Sequence, residues 1–253
     1  MFALLRYLKF LARSGNAHGL HSPFVFSLYT EIVGSAQHYY AFDEIEELRL
    51  RLLQGQARVQ VQDLGTGTSG PRSVAELAQR ASATPKVGQL LFRLVNHFQP
   101  RTVLELGTCL GLGTLYLAKA RPEAEVVTLE GSQALADLAE AHFRACDAPV
   151  RVVRGDLAQT LGPTLASLPS LDFAFLDANH RYEATMLYFG QCLAHTHAGS
   201  VLVLDDIHWS AEMERAWAEV QAHPAVTLTV DLFRLGLVFF RPHQPKQHFR
   251  LRF

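Results

Sequence analysis

Cysteine is scarce: Cys109, Cys146 and Cys192 are the only three in 253 residues, and no CxxC pair occurs. Such spacing builds neither a zinc cluster nor a disulfide framework, so the expectation is a reducing, cytoplasmic setting. An excess of either charge is also missing. The 23 Lys and Arg against 24 Asp and Glu give a formal charge of −1, which argues against a general nucleic-acid binder, normally marked by a basic excess or stripe; a local basic patch stays open. No run approaches the ~18 uninterrupted apolar residues of a membrane span. The apolar start, Met1 to Gly15, is interrupted by Arg6 and Lys9 and is followed by no small-residue cleavage site. It reads as an amphipathic helix rather than a signal peptide, either packed on the domain or a partner subunit or resting on a membrane surface. With 49% hydrophobic and 19% charged residues, the chain is no disordered segment. Its length fits one large domain or two small ones.

The periodicity changes near residue 100. Before it the pattern is mainly helical, over residues 1–12, 23–33, 41–53, 74–81 and 86–97. After it, β-rich runs at 102–106, 125–129, 150–154, 171–176 and 200–204 alternate with helical stretches near 113–119, 133–145, 157–167, 182–194 and 211–222. Strands separated by helical segments of this length predict βαβ units and a parallel sheet. Val226–Val230 and Leu237–Arg241 follow with only a short connection between them, so they are expected to pair antiparallel. The predicted fold is α/β: a Rossmann-like mixed seven-stranded sheet with the last strand antiparallel, plus an N-terminal helical extension.

Two glycine-rich segments compete for the ligand loop after the first strand, where glycines let the backbone approach a nucleotide. They are residues 59–70, around Gly65, and residues 102–118, around Gly107. A ribose-binding fold needs an acid at the end of the next strand, ~20 residues on. Only the second loop has one, in EVVTLE ending at Glu130. The first is read as a surface turn, with substrate contact as the alternative. The winning loop, Glu105-Leu-Gly107-Thr108-Cys-Leu-Gly111, lacks both the GxGxxG spacing and the terminal GK[ST] of nucleotide binders.

Glu105 to Gly111 resembles the first motif of class I S-adenosylmethionine-dependent methyltransferases. Lys86-Val-Gly88-Gln89-Leu-Leu, set about a dozen residues upstream, is similar to the catechol and caffeoyl-CoA O-methyltransferase families. The resemblance covers roughly residues 84–241. It implies S-adenosyl-L-methionine as cofactor, with Glu105 accepting from the methionyl ammonium, Gly107, Thr108 and Gly111 in the loop, Glu130 on the ribose diol and Asp156 beside the adenine. A hydroxyl of the catechol pattern is replaced by Gly113, with Thr114 next to it as a substitute.

In the predicted sheet, strand ends carry Asp177 and the pair Asp205-Asp206. A parallel sheet gathers such ends at its ligand crevice, and uncompensated acids at close range would force one pKa upward. Mg²⁺ or Mn²⁺ would relieve that cost with an all-oxygen site; alternatively, one of Asp205 and Asp206 caps the helix at 210–222. The catechol family has Asp, Asp, Asn here, and antibiotic-tailoring O-methyltransferases, with two adjacent acids, resemble this chain more closely. The resemblance also implies a base three residues after the first acid, here His180, whose alternative is a helix-start residue bonded to Asp177 or solvent. His208 is a second candidate for base or ligand. Trp209 belongs either to the pocket rim or to the core.

The expected division is residues 1–100 as a helical cover on the same domain and 101–253 as the methyltransferase core. His18, His21, Tyr39, Tyr40 and Phe42 belong either to packing or to a substrate-facing lid. The expected function is divalent-metal-assisted O-methylation of a small-molecule hydroxyl from S-adenosylmethionine; the alternatives are a metal-independent N- or O-methyltransferase using His180 as base and a non-catalytic cofactor-binding regulatory module. The expected partner is a small hydroxylated substrate, without nucleic acid or a membrane span; a homodimer stays open.

Overall fold

A computed structural model describes residues 2–16, 19–62 and 69–253. In chain order, the elements begin with α1 (Phe2–Arg13), α2 (Pro23–Ser27), a π-helical turn (Leu28–Val33), α3 (Tyr40–Gln54), β1 (Arg58–Val61), β2 (Gly70–Ser73), α4 (Val74–Arg80) and α5 (Pro85–Phe98). The alternating part follows as β3 (Thr102–Leu106), α6 (Leu112–Ala120), β4 (Glu125–Glu130), α7 (Gln133–Ala145), β5 (Val150–Arg154), α8 (Leu157–Ser167), β6 (Phe173–Leu176), α9 (Tyr182–Leu193), β7 (Val201–Leu204) and α10 (Ala211–Ala222). It closes with β8 (Leu228–Asp231), β9 (Gly236–Phe239) and β10 (Gln247–Arg250). Among the described residues no helix is long and apolar enough to cross a membrane.

The chain divides into two compact units, one of residues 1–35 and 170–253, the other of residues 36–169. Neither boundary falls at residue 100, and each unit takes its own share of the helical first hundred residues.

In the unit of residues 36–169, β3, β4 and β5 run parallel in that order. Both faces of β3 are buried, as the continuous apolar run demands. The register sets Glu105 beside Thr128 and Leu106 beside Leu129, so an acid and a hydroxyl share one face of neighbouring strands. Thr84 caps α5, accepting from the Val87 N–H, and Pro85 occupies its first turn. Gly88 of α5 lies flat against the Tyr116 ring, where a Cβ would clash. Tyr39 and Phe42 pack on Phe92, with centroids at 4.6 and 5.0 Å. They are therefore packing residues, whereas Tyr40 is 93% exposed. The first glycine-rich segment joins the antiparallel strands β1 and β2; Gly65 itself lies at 63–68, outside the described residues. Among the described residues these two strands pair only with each other, a small ribbon not expected from a segment read as a turn.

In the other unit the order is β10-β8-β9-β7-β6. β6 and β7 are parallel, and β9 is antiparallel to both β7 and β8, as the missing helix between β8 and β9 required. β10 then adds parallel to β8. The strands β3 to β10 therefore number eight rather than seven, and the antiparallel strand is the last but one. The short QHFR segment carries no apolar run by which a strand would be recognised. The fold class is the expected one, mixed α/β and Rossmann-like, with N-terminal helices. The helix expected over 23–33 is broken at Leu28, where the π-helical turn begins. His21 is exposed in front of the Ser22 cap of α2, and His18 lies outside the described residues. α1 packs within this unit, with the Tyr7 and Phe10 rings 4.9 and 5.3 Å from Phe233.

Candidate active site

Glu105, one residue before the end of β3, is 1% exposed. Thr128 donates to its Oε2 at 2.6 Å, and Thr114 of α6 donates to the same oxygen. Thr108 and Thr128 share a further hydroxyl contact at 2.6 Å. Burial pushes the Glu105 carboxyl up to about 7; the two threonine hydroxyls work against that, and the Glu130 charge adds to it. The acid therefore sits among hydroxyls and beside a second carboxylate, a setting that favours an incoming cation. The hydroxyl of Thr114 is engaged by Glu105, so it acts on the acid. Gly113 explains the missing hydroxyl of the catechol pattern: a Cβ there would stand 3.1 Å from Glu105 Oε1.

The loop beyond β3 turns by left-handed backbone at Gly107 (φ 95°), Cys109 (φ 50°) and Gly111 (φ 77°). Gly111 starts α6, and a Cβ on it would be 2.5 Å from the Phe143 ring, so two independent reasons require glycine. Glu130 ends β4 and fixes this loop: its Oε2 accepts from the Cys109 N–H and its Oε1 from the Ser132 N–H, both at 2.8 Å. Gln62, at the end of the first glycine-rich segment's described part, donates to Ser132 Oγ at 3.4 Å. Asp156 caps α8, accepting from the Ala158 N–H at 3.0 Å, after Gly155 at φ 122°.

The acids of the other unit stand at the ends of β6 and β7. The register pairs Leu176 with Leu204, and the Asp205 N–H donates to the Leu176 carbonyl at 3.0 Å, which brings the residues after both strands to one edge. Asp177 Oδ1 is 3.4 Å from His180 Nε2, with Asn179 (φ 68°) and His180 (φ 44°) in consecutive left-handed conformations. Two such non-glycine residues in a row are strained, a condition that gathers at functional loops.

Asp205 is 1% exposed and engaged on both oxygens by one guanidinium: Arg234 Nε at 2.9 Å and Nη2 at 2.8 Å. Asp206 (φ 53°) lies 3.6 Å from the same Nε. Burial and the neighbouring Asp205 charge raise the Asp206 pKa, while Arg234 and His180 lower it. Neither Asp205 nor Asp206 caps α10; Ser210 does, accepting from the Met213 N–H at 3.1 Å. Both His208 nitrogens are paired, Nδ1 with Glu214 at 3.0 Å and Nε2 with Asp231 at 2.9 Å, which leaves neither for a base or ligand role in this arrangement. Trp209 is 70% exposed, so it belongs to the surface and not to the core.

The donor set does not fit a divalent ion as arranged. Asp205 already has a bidentate cation, and among the described residues no three of the His, Cys, Asp and Glu side chains form a group that could hold a metal. Arg234 was absent from the sequence reading because it lies in a hairpin tip, and only the β7–β9 pairing carries it to Asp205.

Residues 104–207 match the model of a methyltransferase domain. This stretch is similar to a methyltransferase domain. The matched residues include Glu105, the glycine loop, Glu130, Asp156, Asp177, His180, Asp205 and Asp206. A catechol O-methyltransferase of Mycobacterium tuberculosis is 34% identical over 131 residues, covering 51% of this chain and 58% of that protein. The chain spans between half and two thirds of the length of the curated relatives it matches. The cofactor-bound structure of Rv0187 from MTB matches with a TM-score of 0.57 at 27% identity, over 65% of this chain and 84% of that one. An O-methyltransferase from Bacillus cereus in complex with SAH gives a TM-score of 0.58 over 85% of this chain and 97% of that one; at 20% identity the likeness concerns the fold.

Proposed function

We propose that this methyltransferase domain transfers a methyl group from S-adenosylmethionine to a hydroxyl of a small molecule. The observation that carries the reading is the buried Glu105, ringed by threonine hydroxyls under a left-handed glycine loop. This donor set fits the cofactor: Glu105 would take the methionyl ammonium, Gly107, Thr108 and Gly111 would pass close to its amino-acid part, Glu130 would accept from the ribose and Asp156 would lie toward the adenine. Thr114 supports Glu105 from behind. When bound, the cofactor supplies an electrophilic sulfonium methyl. His180 Nδ1 takes the hydroxyl proton, and Asp177 Oδ1, 3.4 Å from Nε2, orients the ring and stabilises its charged form. A histidine suits this task near neutral pH.

The Mg²⁺ or Mn²⁺ anticipated at Asp177, Asp205 and Asp206 has no step in this mechanism, because Arg234 already compensates Asp205. The test is conversion to S-adenosylhomocysteine with a panel of catechols and other hydroxylated metabolites, with Mg²⁺ and with a chelator. Turnover that survives chelation supports the reading. Turnover lost on chelation and restored by Mg²⁺ would reinstate the metal. Cofactor binding without turnover on any hydroxyl would leave a binding module instead.

A further inference from the structure

Arg234 reaches Asp205 from a turn that is fixed on several sides. The tip between β8 and β9 closes with the Leu232 N–H on the Leu235 carbonyl at 2.9 Å, and the Arg234 carbonyl accepts from the Ile207 N–H at 3.1 Å. That second bond ties the tip to the residue after Asp206. Phe233, at φ 71°, holds a backbone conformation that costs a bulky residue ~1–2 kcal/mol and persists only where the surroundings impose it. They do so here. Its N–H donates to Asp231 Oδ1 at 2.9 Å, and its ring stacks on His208 at 5.3 Å and 20°. Tyr7 and Phe10 of α1 close over the same ring. His208 is itself held between Glu214 and Asp231, and Glu214 also pairs with Arg6 of α1. The guanidinium is thus delivered by a clamped backbone, and its planar fork matches both oxygens of one carboxylate.

We propose that Arg234 is the resident cation of the acid pair after β7, a positioning residue that does for Asp205 and Asp206 what a divalent ion would otherwise do. It holds a buried carboxylate in place through both oxygens, and it repels a second cation. A divalent ion could use Asp205 only by displacing two short charge-assisted bonds. This inference rests on the metal-free reading above, but its decisive measurement needs no turnover.

The probe is Mn²⁺ alone, titrated into the full chain by calorimetry and electron paramagnetic resonance. The wild type and Arg234→Lys should bind Mn²⁺ no tighter than about millimolar, an affinity worth ~4 kcal/mol. Arg234→Met, which frees both carboxylates, should bind at least ~10-fold tighter, in line with an oxygen site relieved of a competing cation. Its turnover without metal should fall ~10-fold or more and recover in part with Mn²⁺, which a merely structural lesion would not do. Stoichiometric micromolar Mn²⁺ binding by the wild type would overturn the proposal, as would an unchanged Mn²⁺ affinity in a folded Arg234→Met that still binds S-adenosylhomocysteine. Should Arg234→Met fail to fold, the Arg234 Nε–H resonance of the wild type decides. It should stay in place up to millimolar Mg²⁺, and a saturable shift of that signal would refute the resident-cation role. Absence of turnover on every hydroxyl, with these metal results intact, would count against the methyl-transfer reading and not against Arg234.

Discussion

Two acids near strand ends are equally buried and oppositely treated. Glu105 on β3 and Asp205 after β7 are each 1% exposed. Glu105 is met by threonine hydroxyls and the charge of Glu130, and its carboxyl rises to about 7. Asp205 is met by a guanidinium on both oxygens. Burial alone therefore does not set the state of a buried acid; the charge of the partner does. The first acid is suited to an incoming cation such as the methionyl ammonium, and the second already has one built into the chain.

The sharpest way to break this contrast is to neutralise each acid in turn. The Glu105 carboxyl titrates near 7 in the folded chain and at its ordinary 4.5 when unfolded. The folded state then holds the extra proton between those values, so stability falls as pH rises from 4.5 to 7 and stays lowered above it. Glu105→Gln should remove that loss, leaving the ligand-free protein about 3 kcal/mol more stable at pH 8, while weakening S-adenosylhomocysteine binding ~10- to 100-fold for the lost charged hydrogen bond. Thermal melting at pH 5 and pH 8 with cofactor calorimetry checks both; a melting difference between variant and wild type that does not change with pH would show that Glu105 is already ionised in the folded chain.

The next effect concerns the proposed base. His180→Ala should lower kcat ~100-fold, the lower end of general-base contributions, with cofactor affinity within about threefold. Loss of cofactor binding in step with kcat would mean that His180 serves the fold. Asp177→Asn should act in the same direction through the orientation of that ring.

Asp205→Asn should move stability opposite to Glu105→Gln. It removes the partner of Arg234, and because that guanidinium is 35% exposed, solvent recovers part of the cost, leaving a loss of about 2 kcal/mol. A chemical-denaturation curve without loss would put the two acids in one class after all. Smallest is Gly113→Ala, whose Cβ would lie 3.1 Å from Glu105 Oε1 and 3.5 Å from Ala83. About 1 kcal/mol of stability and a few-fold of cofactor affinity should go; unchanged cofactor calorimetry would free Glu105 from that constraint.

Much of the scaffold was legible because its signals are local. The βαβ alternation after residue 100 lies in runs of Val, Leu and Phe broken by helical stretches, and the boundaries of β3, β5, α7, α8 and α10 coincide with that pattern. The reversed β9 followed from the absence of any helix before it. β10 was missed because QHFR has no apolar run, and its pairing with β8 stands in for one. The β1–β2 ribbon was missed because glycine-rich sequence reads as turn, whereas Val61 is buried with Leu110 and Leu135. At the site, the glycine loop and Glu130 were visible through their spacing; Thr128 was not, since a threonine inside EVVTLE looks like any strand residue until the register sets it beside Glu105.

The cysteine-poor, charge-balanced sequence determined by itself the class of fold, the order of strands β3 to β9 along the chain, and which glycines and acids stand at their ends. These are properties of periodicity and spacing, written within a few tens of residues. Tertiary structure decided which charge meets which acid. Arg234 is 29 residues from Asp205 in the chain, in a tip whose conformation depends on a ring stack with His208 and on α1 more than two hundred residues away. No local pattern encodes an ion pair formed by strand register, so the sequence pointed to the acids and only the folded chain to the guanidinium that meets one of them.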